Sequence, residues 1–161
     1  MNKIRGFAPI INDDSTVLIL GSMPSVKSLC KAEYYAHPQN RFWRIIFRLT
    51  GEKETDDYEE KKRVLLRHGI ALWDAIGACC RDGSSDSSIR EIEVNDVRAL
   101  LQSHPTIKAV FTNGKKSEEV FKRHFADLIF EYLPSTSPAN AALSYEKIYQ
   151  IWEESVKPLI K

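Results

Sequence analysis

The stretch "VLILGSMPS", residues 17–25, decides the fold. Val17–Leu20 is a short, wholly apolar run that stops at Gly21, the pattern of a fully buried strand entering a tight turn. If that turn opens a site, its own side chains are poor in chemistry: Ser22, Met23 and Ser25 supply no base. Shortly downstream, "YYAHPQNRFW" (residues 34–43) packs two tyrosines, a histidine, a Pro-Gln-Asn turn and a Phe-Trp pair into one segment. The second stretch is a candidate source of what the first lacks.

Outward from that strand, helix and strand signals alternate. Asn40 is placed to cap a helix from Arg41 to Leu49, with Phe42, Ile45, Ile46 and Leu49 on its apolar face. A charged helix from Asp57 to His68 stops at Gly69, and Ile70–Trp73 reads as a second strand. Residues 77–90 read as a Gly/Ser/Asp-rich loop. Asn95 is the expected cap of a helix through Val97, Leu100 and Leu101, which Pro105 ends. Ile107–Phe111 is a third strand, and Gly114 turns into a helix carrying Val120, Phe121 and Phe125. Leu128–Leu133 is a fourth strand, and a last helix presents Ile148, Ile151, Trp152 and Ser155.

Strands separated by helices predict an α/β fold, a single-domain α/β/α sandwich over residues 1–161 with a central, mainly parallel four-stranded sheet. Ligands in such folds bind beyond the carboxyl ends of the strands. That rule selects four loops: Gly21–Ser25, Asp74–Arg90, Thr112–Lys115 and Pro134–Asn140.

Composition narrows the function classes. A chain of 161 residues with 43% hydrophobic residues suits one ordinary globular core. No apolar run approaches the roughly 18 residues of a membrane span, and the N-terminus lacks a signal-peptide pattern, so a cytoplasmic protein is expected. Three cysteines without C-x-x-C spacing fit reduced thiols and fall short of an iron–sulfur ligand set. The formal charge of +1 argues against a coat on long nucleic acid but allows a small footprint on a few phosphates. The histidines and acids show no ligand spacing, so neither a metal nor another cofactor is expected.

Read together, the loops resemble the uracil-DNA glycosylase superfamily from about Gly6 onward. Gly21-Ser22-Met23-Pro24 stands where the mismatch-specific branch has Gly-Ile-Asn-Pro, and Pro38-Gln39-Asn40-Arg41-Phe42-Trp43 matches its Pro-x-Asn-x-Phe-Trp. "FTNGKKS" resembles its Asn-Gly-Lys turn, and "LPSTSPAN" its Pro-Ser-Ser-Ser loop, which enters the DNA minor groove. Met23 is the departure, since most of the superfamily has Asn or Asp there to position water. Gly-Ser-Met-Pro, Tyr-x-His-Pro-x-Asn-x-Phe-Trp and Ser-Thr-Ser-Pro-Ala-Asn together resemble the hypoxanthine-DNA glycosylase branch. In that branch the asparagine of the aromatic loop is held to be catalytic. By position it is Asn40, a residue that also suits a helix cap.

The resemblance implies a monomeric, monofunctional glycosylase acting on DNA that contains deaminated bases, hypoxanthine ahead of uracil, after flipping the base into a pocket. Gly21, Ser22, Met23, Tyr35, His37, Trp73 and Asp74 are the expected pocket. Tyr35 would stack on the base, and Asp74 would accept from a ring N–H. Lys115, Ser135, Thr136, Ser137, Pro138, Ala139 and Asn140 are the expected DNA contacts, with Arg41 a further candidate for a phosphate. The rival readings are a mismatch-type uracil or thymine glycosylase and a lesion-binding protein without turnover. A small-molecule enzyme is a third, although no G-x-G-x-x-G or Walker loop is present.

Overall fold

The computed structural model describes residues 3–161. The "VLIL" run is strand β2 (Val17–Gly21), buried along its whole length at the centre of a four-stranded parallel sheet. Its neighbours are β3 (Ile70–Asp74) and β6 (Ala109–Asn113), and β7 (Glu131–Leu133) completes the order β3-β2-β6-β7. The register pairs Gly21 with Asp74, Leu20 with Thr112 and Asn113 with Leu133, so the strands end level and their loops meet.

Alternation along the strands assigns each face its helices, which follow the short helix α1 (Val26–Lys31) in the chain. Val17, Ile19, Ile70, Leu72 and Phe111 point to the side covered by α2 (Phe42–Thr50), α3 (Tyr58–Arg67) and α6 (Tyr145–Val156). Leu18, Leu20, Ala71 and Val110 point to the side covered by α4 (Val97–Ser103) and α5 (Lys115–His124). Fully buried Trp152 and Phe42 anchor the first layer edge to face, with ring centroids 6.1 Å apart. Tyr149 and Val156 complete the inner face of α6. No helix among the described residues is long and apolar enough to cross a membrane.

The four-stranded parallel sheet between helical layers is as expected. The 77–90 loop is not. Ile76–Cys80 (β4) and Arg90–Val94 (β5) are strands, and with β1 (Ile4–Arg5) they form a second, antiparallel sheet in the order β1-β4-β5. Gly77, Ala78 and the two cysteines hide this strand, because small residues carry a weak strand signal. They pack here because β4 lies under Met23, Ile89 and Val120. Other corrections are local. Asp96 caps α4 through Ala99 N, whereas the Asn95 amide donates to Asp74 O (2.7 Å). Strands β6 and β7 begin at Ala109 and Glu131, after Ile107 and Leu128 close turns onto His104 and Phe125.

From β2 the chain leaves toward the α2/α3/α6 layer; from neighbouring β6 it leaves toward α5. The divergence opens a crevice between their carboxyl ends, the place where doubly wound sheets bind ligands.

Candidate active site

That crevice holds a cavity of about 760 Å³, within the usual range of small-molecule sites. All four strand-end loops reach it: Gly21–Ser25, Asp74, Asn113–Lys116 and Ser135–Asn140. The aromatic segment supplies Tyr34, Tyr35, His37 and Asn40 to the same space. The sequence therefore brings together almost all of the expected residues.

Gly21 is required by packing. A Cβ there would lie 2.5 Å from Asp74 Oδ1 and 2.7 Å from the Tyr35 hydroxyl. Only a hydrogen at this position lets the carboxyl and the phenol converge. Tyr35 is stacked on Phe42 (centroids 4.1 Å apart, planes 20° from parallel), and it lines the cavity while Phe42 lies beneath it. Its backbone is left-handed (φ 53°), a costly conformation for an aromatic residue that surrounding contacts must hold in place. Tyr34, by contrast, turns its hydroxyl to Ala8 O (2.8 Å) and belongs mainly to the core.

Asn113 ties the two halves of the site together. Its amide donates to the Tyr35 hydroxyl and to Thr136 Oγ1 (3.1 Å each), and its carbonyl accepts from Thr136 N (3.1 Å). A polar residue ending an apolar strand before Gly114 was the available signal, yet its role is invisible without the fold. Asn113→Ala leaves the buried Thr136 N–H without an acceptor and two hydroxyls without a donor. At about 1–3 kcal/mol for a stranded buried group, a loss of about 2–4 kcal/mol is expected in a denaturant melt. Asn113→Asp keeps the acceptor and should lose less; equal stability of the alanine variant and wild type would contradict this linkage.

Asn40 is not the formal cap of α2, which begins one residue later than expected with Arg41 at its N-terminal boundary. Its Oδ1 nevertheless accepts from Phe42 N (2.9 Å), which fixes the amide beside the cavity. An amide oxygen has a second lone pair, so this anchor leaves room for a water. His37 accepts from Gln39 N (3.1 Å) through Nδ1, so the ring proton of its neutral form sits on Nε2. Met23, 7% exposed, packs on the β4 sheet and contributes only a thioether.

Asp74 is 4% exposed, and its Oδ2 is buried without a hydrogen-bond partner. Burial, reinforced by the Asp86 carboxylate and offset in part by Arg81, raises its pKa to about 7. The carboxyl therefore retains much of its proton near neutrality, where the sequence suggested a plain carboxylate acceptor. Asp86 and Arg81 are further site residues that the Ser/Asp-rich segment concealed. Asp86 lies exposed on the rim and accepts from Ser22 Oγ (3.1 Å), while Arg81 donates to Pro24 O (2.7 Å) and Gly83 O (2.8 Å). Together they strap the 81–89 segment to the Gly21 turn.

Three expectations are corrected. Trp73 is not in the pocket: strand alternation turns it to the opposite face from Asp74, where it packs with Leu18 and Ala71 and donates to Phe7 O (3.0 Å). Thr136 is fully buried by its Asn113 bonds and cannot meet a phosphate. Arg41 does not reach outward. Its guanidinium donates to the carbonyls of Thr136, Ser137 and Asn140 (3.3, 2.7 and 3.0 Å), stapling the last loop. Ser135 and Ser137 accept from backbone N–H groups through their hydroxyl oxygens, which leaves each hydroxyl proton for another acceptor. Asn140 donates back to Ser135 O (3.0 Å), and Pro138 and Ala139 form the exposed tip. Lys115 is exposed at the start of α5 beside the cavity.

The chain is similar to known proteins over most of its length. The family model described as the uracil DNA glycosylase superfamily matches residues 8–156. A hypoxanthine DNA glycosylase of Methanosarcina acetivorans is 38% identical over 152 residues, covering 92% of this chain and 95% of that one. One from Methanosarcina barkeri is 40% identical over 118 residues, covering 73% and 75%. A G/U mismatch-specific uracil DNA glycosylase of Schizosaccharomyces pombe is 27% identical over 128 residues and is matched over 38% of its own length. The solution NMR structure of a candidate uracil DNA glycosylase from Methanosarcina acetivorans superposes with a TM-score of 0.85 at 35% identity, covering 98% of this chain and 99% of that one.

Proposed function

The chain belongs to the uracil DNA glycosylase superfamily, and on that premise we propose that it is a monofunctional DNA glycosylase that excises hypoxanthine from DNA. It acts as a monomer, one catalytic domain whose cavity is built entirely from this chain. The observation that carries this reading is the placement of Asn40. Its anchored amide stands in the same cavity as Asp74 and Tyr35, while Met23 fills the turn position without chemistry.

Breaking an N-glycosidic bond leaves a sugar with oxocarbenium character and a base gathering negative charge. Positioning and charge stabilisation matter more here than a strong nucleophile. The flipped base enters between the Gly21 turn and Tyr35, whose ring is kept level by Phe42. Asn40 Oδ1 accepts a hydrogen bond from a water, which aligns the water's lone pair for attack on C1′. Backbone N–H groups at Ser22 and Met23 serve the base carbonyl, and Asp74 faces the ring. Pro138 and Ala139 press into the duplex where the base has left, while Ser135, Ser137 and Lys115 meet phosphates. No lysine is assigned as a nucleophile, so the abasic strand is released unbroken.

Incubation with duplexes carrying deoxyinosine, deoxyuridine or a G·T pair, followed by alkaline cleavage of abasic sites, tests the assignment. Deoxyinosine is expected to be cleaved fastest. Fastest cleavage of deoxyuridine or G·T would transfer the protein to the mismatch-type reading. Binding to deoxyinosine without cleavage of any duplex would make it a lesion binder.

A further inference from the structure

The structure assigns Asp74 a catalytic role: we infer that its carboxyl donates a hydrogen bond to the bare N7 of the flipped purine and passes that proton to the base as the C1′–N9 bond breaks. This rests on the reading of hypoxanthine as the substrate. It replaces a carboxylate that merely accepts from a ring N–H.

Geometry motivates the proton. Asp74 closes the end of a buried strand, is 4% exposed, and has an Oδ2 with no partner in the protein, so a ligand in the cavity is left to satisfy it. The charges around it do not neutralise a carboxylate. Arg81, held by two backbone carbonyls, offsets only part of the cost of burial, and Asp86 adds a like charge from the rim. From the aromatic loop, Tyr34 and Tyr35 keep their protons, since burial pushes both phenols well above their ordinary range. His37 lines the cavity from the same loop with Nδ1 already accepting from Gln39 N. From α5, Lys115, Lys116 and Glu119 reach the cavity wall, and Lys116 is paired with Glu119 (3.5 Å). With a pKa near 7, Asp74 is mostly protonated at pH 6 and mostly ionised at pH 8.

The step balances. The electron pair of the C1′–N9 bond goes to the purine, the Asp74 proton goes to N7, and hypoxanthine leaves neutral. The water held at Asn40 bonds to C1′, and the proton it releases restores the carboxylic acid through solvent. Uracil has no bare ring nitrogen to take the proton, so the same acid favours a purine over a pyrimidine.

The test measures single-turnover excision from pH 5.5 to 8.5, using wild type and Asp74→Asn on duplexes with deoxyinosine or 7-deaza-2′-deoxyinosine, which lacks N7. On deoxyinosine the wild-type rate should fall as pH rises through about 7. Asp74→Asn should be slower by about 10²-fold, the usual scale of general acid catalysis, and flat with pH. The 7-deaza duplex should be bound, but Asp74→Asn should slow its excision no further. A wild-type rate that is flat or rises with pH, or an equal loss on both substrates, would overturn the proton transfer while leaving a hypoxanthine glycosylase. If Asp74→Asn does not fold, the wild-type pH profile still decides. No cleavage of deoxyinosine by wild type at any pH would overturn the substrate reading itself.

Discussion

Asn40→Ala is expected to lower single-turnover excision of hypoxanthine by about 10²-fold or more, the scale of losing a transition-state donor in other enzymes. Two losses combine in this variant, and they are separable. The first is the hydrogen bond from Phe42 N to Oδ1, a capping contact worth about 1 kcal/mol of stability. The second is the amide proposed to position water at C1′, whose loss leaves no trace in a melting curve. Binding to a deoxyinosine duplex should survive, because Tyr35 and the Ser135–Asn140 loop are held by Phe42, Asn113 and Arg41. Asn40→Asp should keep part of the rate, since a carboxylate still orients water. A variant that melts early but cleaves at the wild-type rate would reduce Asn40 to a cap. If, in addition, conservative changes at Met23 abolished activity, the chemistry would belong to the Gly21 turn.

Gly21→Ala should be comparably severe for a different reason. The new methyl would stand 2.5 Å from Asp74 Oδ1 and 2.7 Å from the Tyr35 hydroxyl. Neither neighbour yields easily: Asp74 is 4% exposed, and Tyr35 is clamped between Phe42 and Asn113. One of them must therefore move away from the base. A displacement on the order of 1 Å costs about 10²-fold in rate when it misplaces reacting groups. Overpacking should also cost about 1–3 kcal/mol of stability. Wild-type excision by this variant would show that the convergence of Asp74 and Tyr35 is not needed.

The parts of the fold that were legible in the sequence are those where burial alone dictates residue type. A wholly apolar "VLIL" before Gly21 has to be a central strand, and Gly69 and Gly114 mark a helix end and a helix start by their left-handed backbones. The main sheet and the convergence of its four loops follow from that pattern. The second sheet was hidden because β4 is built from Gly, Ala and Cys, whose strand character comes from packing under Met23 and Val120. Asn40, Tyr35 and Asp74 were singled out through the resemblance to the glycosylase superfamily, and the fold brings all three to one cavity. Side-chain direction was not legible. Trp73 and Asp74 are adjacent, yet the pleat sends one into the core and the other into the cavity. Arg41 and Thr136 read as phosphate contacts by type, but the fold turns both inward to hold the last loop. Asp86 reaches Ser22 across 64 positions of chain, a pairing that no local spacing reveals.

The most direct measurement is the product of one turnover. Excess wild-type protein is mixed with a duplex carrying a single deoxyinosine, and the base and strand are identified by mass spectrometry. Free hypoxanthine is expected in amounts equal to an intact, unbroken abasic strand. An unmodified deoxyinosine strand recovered in tight complex with the protein would contradict a glycosylase with its water at Asn40.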